Sequence, residues 1–244
     1  MGVSYQKSWG KEKEVLSDTA THIIANAAVP NLAETLLSKQ DGKKLANSIA
    51  GNVIGASLLT VYYGFKKPLK EVGNKHYSTF IYDDSVASQK DILPNNHSNF
   101  STRSFTFVDY SQVDAELAPA GKSVGAVCAV DYPEDWAYLE RDEYMRMKAD
   151  VADIITGRCE KLIPGFRDAV EYVEVATSLS VKRFTLNPEG AVYGFAQNPG
   201  KPTEYLSALP ENIHIASAWG KFGGGFSGSI LSGYMTATDL LRKF

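Results

Sequence analysis

Gly223-Gly-Gly-Phe-Ser-Gly228 stands between an apolar run, Asn212-Ile-His-Ile-Ala-Ser-Ala218, and a stretch of helical composition, Ser229 to Arg242. That order predicts a strand, a glycine turn and a helix. The six residues match G-x-G-x-x-G to the letter, the spacing of a dinucleotide-binding fingerprint. The fingerprint also requires a second strand ending in an acidic residue about 20 positions on, and the sequence ends at Phe244. A complete nucleotide fold is therefore not expected after this turn. Two readings of the loop stay open. Three consecutive glycines remove every Cβ, so a ligand can approach closely, and the next helix offers unpaired N–H groups to an anion. Alternatively, the glycines serve a tight strand-to-helix turn packed on another element. Gly121-Lys122-Ser123 imitates the end of a phosphate-binding loop, but Glu116 stands where that loop needs a glycine.

Working upstream, Ala169 to Thr177 alternates as a strand, and Pro133 to Ile163 predicts one long helix closed by Pro164-Gly165. Within it Trp136, Leu139, Met147, Val151, Ile155 and Ile163 recur at helical spacing, a stripe read as core. Ser104 to Tyr110 and Ser123 to Val130 read as strands around the turn Ala118-Pro-Ala-Gly121. Asp83 to Arg103 reads as loop, and His76 to Tyr82 as strand. Leu45 to Phe65 carries no charge, lies between lysine pairs and contains Gly51-x-x-x-Gly55, which mimics a membrane span. Asn47, Ser48 and Asn52 argue against it, and Leu58 to Phe65 is rich in β-branched and aromatic residues, so a buried helix followed by a strand is expected. Thr21 to Val29 predicts a strand stopped by Pro30, with a helix starting at Asn31 and a capping-box partner at Glu34. Strands and helices in no simple alternation predict a mixed-sheet α/β or α+β fold.

The 244 residues can bury one large core, or one large and one small domain. A formal net charge of −3 gives no reason to expect a nucleic-acid partner. Cys128 and Cys159 cannot form a disulfide framework, no Cys or His spacing suits a metal, and both thiols are expected buried in a reducing compartment. Met1 to Glu14 is polar and charged, unlike a signal peptide, so a cytoplasmic location is expected. His22 and His214 lie in apolar strand surroundings and read as sheet-face histidines rather than catalysts. No side chain stands out as a general acid, base or nucleophile, so the catalytic residues are unknown at this level.

Three stretches together resemble one known family. Ile213 to Gly233 resembles the C-terminal flavin motif of the phytoene-desaturase, carotenoid-isomerase and retinol-saturase group. Glu174 to Phe195, with Asn187-Pro-Glu-Gly-Ala-Val-Tyr-Gly194 inside it, resembles the run preceding that motif. Thr21-His-Ile-Ile-Ala-Asn-Ala-Ala-Val-Pro30 resembles the strand by which such chains leave the FAD domain. The resemblance implies the C-terminal part of a two-domain FAD/NAD(P)-binding flavoprotein fold, with a mixed-sheet substrate domain. Residues 1–37 and 186–244 would belong to the FAD domain and 38–185 to the substrate domain.

The same resemblance implies an oxidoreductase acting by FAD-mediated hydride transfer on carbon–carbon bonds of an apolar polyene or isoprenoid-like substrate. It places Ser217, Ala218, Trp219, Gly223, Gly224, Gly225, Phe226 and Ser227 at the cofactor, and Tyr193 and Gly194 near the cofactor or substrate entrance. Many members carry Gly-Asp where Ser217-Ala218 stands, and proline where Phe222 stands; these are departures from the pattern. The family's dinucleotide fingerprint has no counterpart in this sequence. The implied partners are an apolar small molecule, an N-terminal complementing chain or a second copy, and peripheral contact with a membrane. The rival expectation is a non-enzymatic hydrophobic-ligand module that kept the substrate domain without the cofactor.

Overall fold

The computed structural model describes residues 2–6, 14–198 and 203–242; Met1 and residues 7–13 of the polar opening stretch lie outside them. The elements are β1 (Gly2–Gln6), β2 (Val15–Thr19), β3 (Ile23–Ala25), α1 (Val29–Asn31), α2 (Lys39–Ile49), β4 (Ser57–Phe65), β5 (Ser78–Ile81), α3 (Gln89–Asn96), β6 (Phe105–Asp109), β7 (Ser123–Asp131), α4 (Arg141–Leu162), α5 (Phe166–Ala169), β8 (Val170–Ala176), α6 (Ser178–Thr185), β9 (Ile213–Ile215) and α7 (Gly225–Leu241). The fold is mixed α/β, with antiparallel strands and, among the described residues, one parallel pair. The chain forms two compact units, Met1–Gly55 with Tyr193–Phe244, and the inserted stretch Ala56–Val192.

The inserted unit is built on a five-stranded antiparallel sheet of order β5-β6-β7-β4-β8. Its strand β4 alternates strictly. Ser57, Leu59, Val61, Tyr63 and Phe65 are buried, while Leu58, Thr60, Tyr62 and Gly64 face the other way. The period of two puts every second residue on one face. That face packs on Val151, Ile155 and Cys159 of α4 and on Phe166 of α5, joined by Phe105, Phe107 and Trp136. The Phe166 ring meets Tyr63, Phe65 and Phe107 edge-on at 5.1–5.3 Å. Each of these large side chains contributes about 1.5–3 kcal/mol by leaving water.

A carboxylate is buried beside this core. Asp131, fully buried, closes β7 and accepts the Trp136 Nε1–H on both oxygens at 2.9 and 3.0 Å. It also accepts the Ser178 N–H at 2.7 Å, which fixes the start of α6 against the sheet end. Arg103, also buried, lies 3.7 Å away and donates to Asp135 and to the carbonyls of Ser98 and Val130. Burial pushes the Asp131 carboxyl up, while the Trp136 and Ser178 donors pull it down.

These contacts explain why the helix expected from Pro133 is interrupted. Pro133–Asp135 is a single 3-10 turn, Trp136 is drawn into the core by Asp131, and α4 begins afresh at Arg141 behind a Glu140–Glu143 capping box. The stretch expected as loop contains α3, capped reciprocally by Ser88 and Asp91 and tolerating Pro94 inside. The strand expected over Thr21 to Val29 is confined to β3; after it Pro30 lies within the turn α1 and Asn31 has helical backbone angles, so the turn begins two residues before the expected cap. Leu45 to Phe65 divides into the end of α2 and β4, but the helix is not the buried one expected: it begins at Lys39 and, of residues 45–49, Leu45 is the one buried; among the described residues no helix is long and apolar enough to cross a membrane.

Two substitutions probe this unit. Trp136→Phe leaves Asp131 without its indole donor and costs about 1–3 kcal/mol by chemical denaturation, the range for a buried acceptor losing its partner. Glu160 accepts the backbone N–H groups of Gly165 and Arg167 at 2.9 and 2.7 Å, which holds its carboxyl below the usual glutamate range. Its contribution is present above the ordinary glutamate pKa and is lost as pH falls through the lower folded value. Melting curves of Glu160→Gln should therefore lie below the parent at neutral pH and converge with it in acid.

Candidate functional site

The site is assembled in the unit formed by the two ends of the chain. β3 and β9 pair in parallel, Ile23 with Ile213, Ile24 with His214 and Ala25 with Ile215. His22 Nδ1 lies 3.1 Å from His214 Nε2, so the two histidines hold each other across this pair. The parallel register carries the chain to Ser217, where the turn begins. Ser217 is buried; its hydroxyl donates to the Ala27 carbonyl at 3.3 Å and accepts the Trp219 N–H at 3.2 Å. Trp219 is core, packed edge-on against Phe195 at 4.9 Å, and Phe195 meets Tyr205 at 5.4 Å. The Tyr205 hydroxyl donates to the Trp219 carbonyl, and burial pushes its pKa up to about 12. Ser217 and Trp219 thus use their polar and apolar surface to shape the turn.

The segment Tyr193–Gln197 lies against that turn. Gly55 N–H donates to the Gly194 carbonyl and Ala196 N–H to the Val53 carbonyl, each at 2.8 Å, around an antiparallel bridge from Ile54 to Phe195. Gly194 has φ +75°, and a Cβ there would sit 2.5 Å from the Ala218 carbonyl oxygen. Close approach, together with left-handed backbone, requires glycine at this position. Tyr193, 46% exposed, presses on the next glycines: a Cβ on Gly224 would fall 2.3 Å from the Tyr193 Cα. The Gln197 side chain fills the space beside Gly223 and donates back to the Tyr193 and Phe195 carbonyls.

The three glycines differ in their surroundings. Gly223 and Gly224 are filled by the chain's own Gln197 and Tyr193. Gly225, with φ +80°, has nothing nearer than 3.9 Å to its Cβ position. It opens α7, whose first turn has no side-chain cap and no acidic residue. The amides of Gly225, Phe226 and Ser227 form an uncapped helix start carrying partial positive charge. Phe226 projects outward, 92% exposed. Behind it α7 docks on β9, with Thr236 Oγ1 donating to the Ile215 carbonyl at 3.0 Å and Ser232 buried against Gly220. Gln197, Phe195 and Tyr205 are part of the site that sequence reasoning missed; each reaches the turn from a distant segment and leaves no local signal. Among the described residues no group of three or more His, Cys, Asp or Glu is placed to hold a metal ion.

The inserted unit offers a second surface. Away from its core, one cross-strand row runs Phe80, Thr106, Cys128, Thr60 and Ala176 through all five strands without a formal charge. Beside it a groove of about 810 Å³ is lined by Tyr62, Tyr144, Met145, Phe184, Arg141 and Lys148, among others. Phe184 is 81% exposed.

No protein-family profile matches the chain. Curated relatives include prolycopene isomerase 2 of an Oncidium hybrid cultivar, 34% identical over 101 residues, covering 41% of this chain and 17% of the relative. The chloroplastic prolycopene isomerase of Arabidopsis thaliana is 36% identical over 83 residues, covering 34% and 14% respectively. The matched stretch thus spans about one sixth of these relatives' length. Among solved structures, an oxidoreductase from Methanosarcina mazei shares the fold with a TM-score of 0.53 and 15% identity, over 97% of this chain and 48% of that one. The chain is similar at family level to carotenoid isomerases and their oxidoreductase homologues.

The loop can be tested on its own. Gly224→Ala drives a methyl into the Tyr193 backbone and should destabilise by at least about 3 kcal/mol, the upper range for overpacking. Gly225→Ala meets open space and carries only the cost of left-handed backbone, about 1–2 kcal/mol. Urea titration of the two variants distinguishes them.

Proposed function

We propose that this chain contributes the C-terminal cofactor contacts and the substrate surface of an FAD-dependent oxidoreductase, acting by hydride transfer at carbon–carbon bonds of an apolar polyene or isoprenoid-like substrate. The observation that carries the reading is the convergence of Tyr193–Gln197 and the β9 turn on the uncapped start of α7, in a chain similar to prolycopene isomerases. When bound, FAD supplies the hydride acceptor or donor.

The residues have separate tasks. Gly225 leaves room for close approach of a flat group, and the amides of Gly225, Phe226 and Ser227 stabilise negative charge brought to them. Tyr193 and Phe226 supply exposed aromatic surface at the same place. Ser217, Ala218, Trp219, Gly194 and Gln197 act through the backbone of the turn, holding its shape. The uncharged row Phe80–Thr106–Cys128–Thr60–Ala176 and the groove beside Tyr62 and Phe184 offer an apolar ligand a surface. With no acid or base assigned, the protein's contribution is position, an apolar surface and a fixed dipole.

A visible spectrum of the purified chain with added FAD tests the first half. A protein-bound flavin band that weakens in Gly225→Ala supports the reading, and a colourless protein sinks it. The second half is read by the fluorescence of cis-parinaric acid, a conjugated polyene. Binding should fall at least tenfold in Thr60→Lys, which sets a charge in the middle of the apolar row. Polyene binding by a chain that ignores FAD would instead establish a hydrophobic-ligand module.

A further inference from the structure

β6 ends on a second buried carboxylate, Asp109, which is 1% exposed. Its Oδ2 accepts the Asn74 Nδ2–H and the Gln112 Nε2–H, each at 2.9 Å, and those two amides hold the group in place. Its Oδ1 is buried and has no hydrogen-bond partner among the described residues. Asp131 has Arg103 beside it, whereas Asp109 forms no ion pair among those residues. A buried acceptor left unmade is costly, and a buried charge without a counter-charge more so. Asp109 also lines a cavity of about 310 Å³. That volume falls at the lower end of the range of about 300–1,000 Å³ in which small ligands bind.

The other residues of the cavity define what could meet that oxygen. Gln112 uses both hydrogens of its amide nitrogen, on Asp109 and on the His76 carbonyl at 3.1 Å, so its oxygen is what remains for a ligand. Ser111 accepts the Val124 N–H at 2.9 Å and keeps a second lone pair. Three acceptors, one of them a carboxylate oxygen, match the three N–H donors of a primary ammonium group. Lys70 lines the same cavity, is exposed, and forms no ion pair among the described residues. Lys122 lines it too, but its ammonium is already neutralised by both Glu171 oxygens at 2.8 and 2.6 Å. The cavity therefore combines a buried negative charge with an exposed positive one. Pro68, Leu69 and Ala115 add apolar wall.

We propose that this cavity binds a free amino acid with an apolar side chain, its ammonium group on Asp109 Oδ1, Gln112 and Ser111 and its carboxylate on Lys70. The zwitterion supplies partners for both charges that the cavity leaves unpaired; an amine or a carboxylic acid alone supplies one. The Asn74 and Gln112 bonds hold Asp109 in place before a ligand enters, so little ordering is left for the binding step. No residue of this cavity belongs to the glycine turn, to the uncharged row or to the groove beside it. The site stands apart from the proposed cofactor and polyene contacts, and its test leaves them untouched.

Nuclear magnetic resonance of the isotope-labelled chain reads the site directly. L-leucine should shift the amide signals of Ser111, Gln112 and Val124 saturably. N-acetyl-L-leucine, which lacks the ammonium group, should bind at least about tenfold more weakly, and L-leucinamide, which lacks the carboxylate, several-fold more weakly. Lys70→Ala should bring leucine down to the level of leucinamide and leave leucinamide unchanged. Asp109→Asn keeps an acceptor for Asn74 and Gln112 without the charge, and should weaken leucine at least about tenfold with unchanged far-ultraviolet circular dichroism. Where that variant does not fold, the N-acetyl comparison on the parent chain decides alone. A chain whose spectrum ignores millimolar leucine overturns the proposal and gives Oδ1 to a bound water or to the Lys70 ammonium. Binding that N-acetylation does not weaken overturns it as well. Leucinamide binding as tightly as leucine overturns the zwitterion in favour of a simple amine.

Discussion

Three residues of parallel strand, Ile23–Ala25 on Ile213–Ile215, join parts of the chain nearly two hundred positions apart. The pairing delivers Ser217 to its bond with Ala27 and sets the direction in which the chain enters the glycine turn. The turn is then clamped from its other side by Tyr193–Gln197, anchored to Val53 and Gly55. The helix start at Gly225 inherits its position from both. A slip of one residue in the pair would turn His214 and Ile215 each to the opposite face and remove the Thr236 anchor on the Ile215 carbonyl. The geometry of the turn therefore depends on backbone pairing, which brings the side chains of Ser217, Tyr193, Gln197 and Thr236 to the places where they hold it.

The inserted unit solves a different problem. Its core is apolar and aromatic, yet its end is closed by a buried carboxylate. Asp131 is compensated by an indole, a backbone amide and the neighbouring Arg103, and without those donors its desolvation would be prohibitive. What the arrangement gains is specificity of connection. The start of α6, the end of β7 and Trp136 are fixed to one point, although they come from separate stretches of sequence.

Much of this is legible in the residues. β4 announces itself by strict alternation, β6 and β7 by β-branched runs around a proline–glycine turn, and the terminal strand–turn–helix by its glycines. The departures have physical causes. Ser88, Asp91 and Asn95 have the composition of a loop and equally of a capped short helix, and Pro94 favours the loop reading. Trp136 fits the helical spacing of the residues after it, but its bond to Asp131 outweighs that periodicity. At the turn, three glycines in sequence look alike. Tyr193 and Gln197 decide which of them faces outward, and nothing local to residues 223–225 encodes those neighbours.

The insertion of one unit within the other has a consequence for how the chain finds its fold. Bringing β3 to β9 directly means closing a loop of almost the full chain, and closure entropy grows with the logarithm of loop length. The inserted unit is contiguous in sequence, and its two ends meet where Val192 N–H donates to the Ala56 carbonyl at 3.3 Å. Once it has folded, about 50 residues of free chain separate β3 from β9 in place of about 190, which lowers the closure cost by roughly 1 kcal/mol. The topology thus favours one order of assembly, in which the middle of the polypeptide acts as a clasp that shortens the closure left to the two flanking stretches.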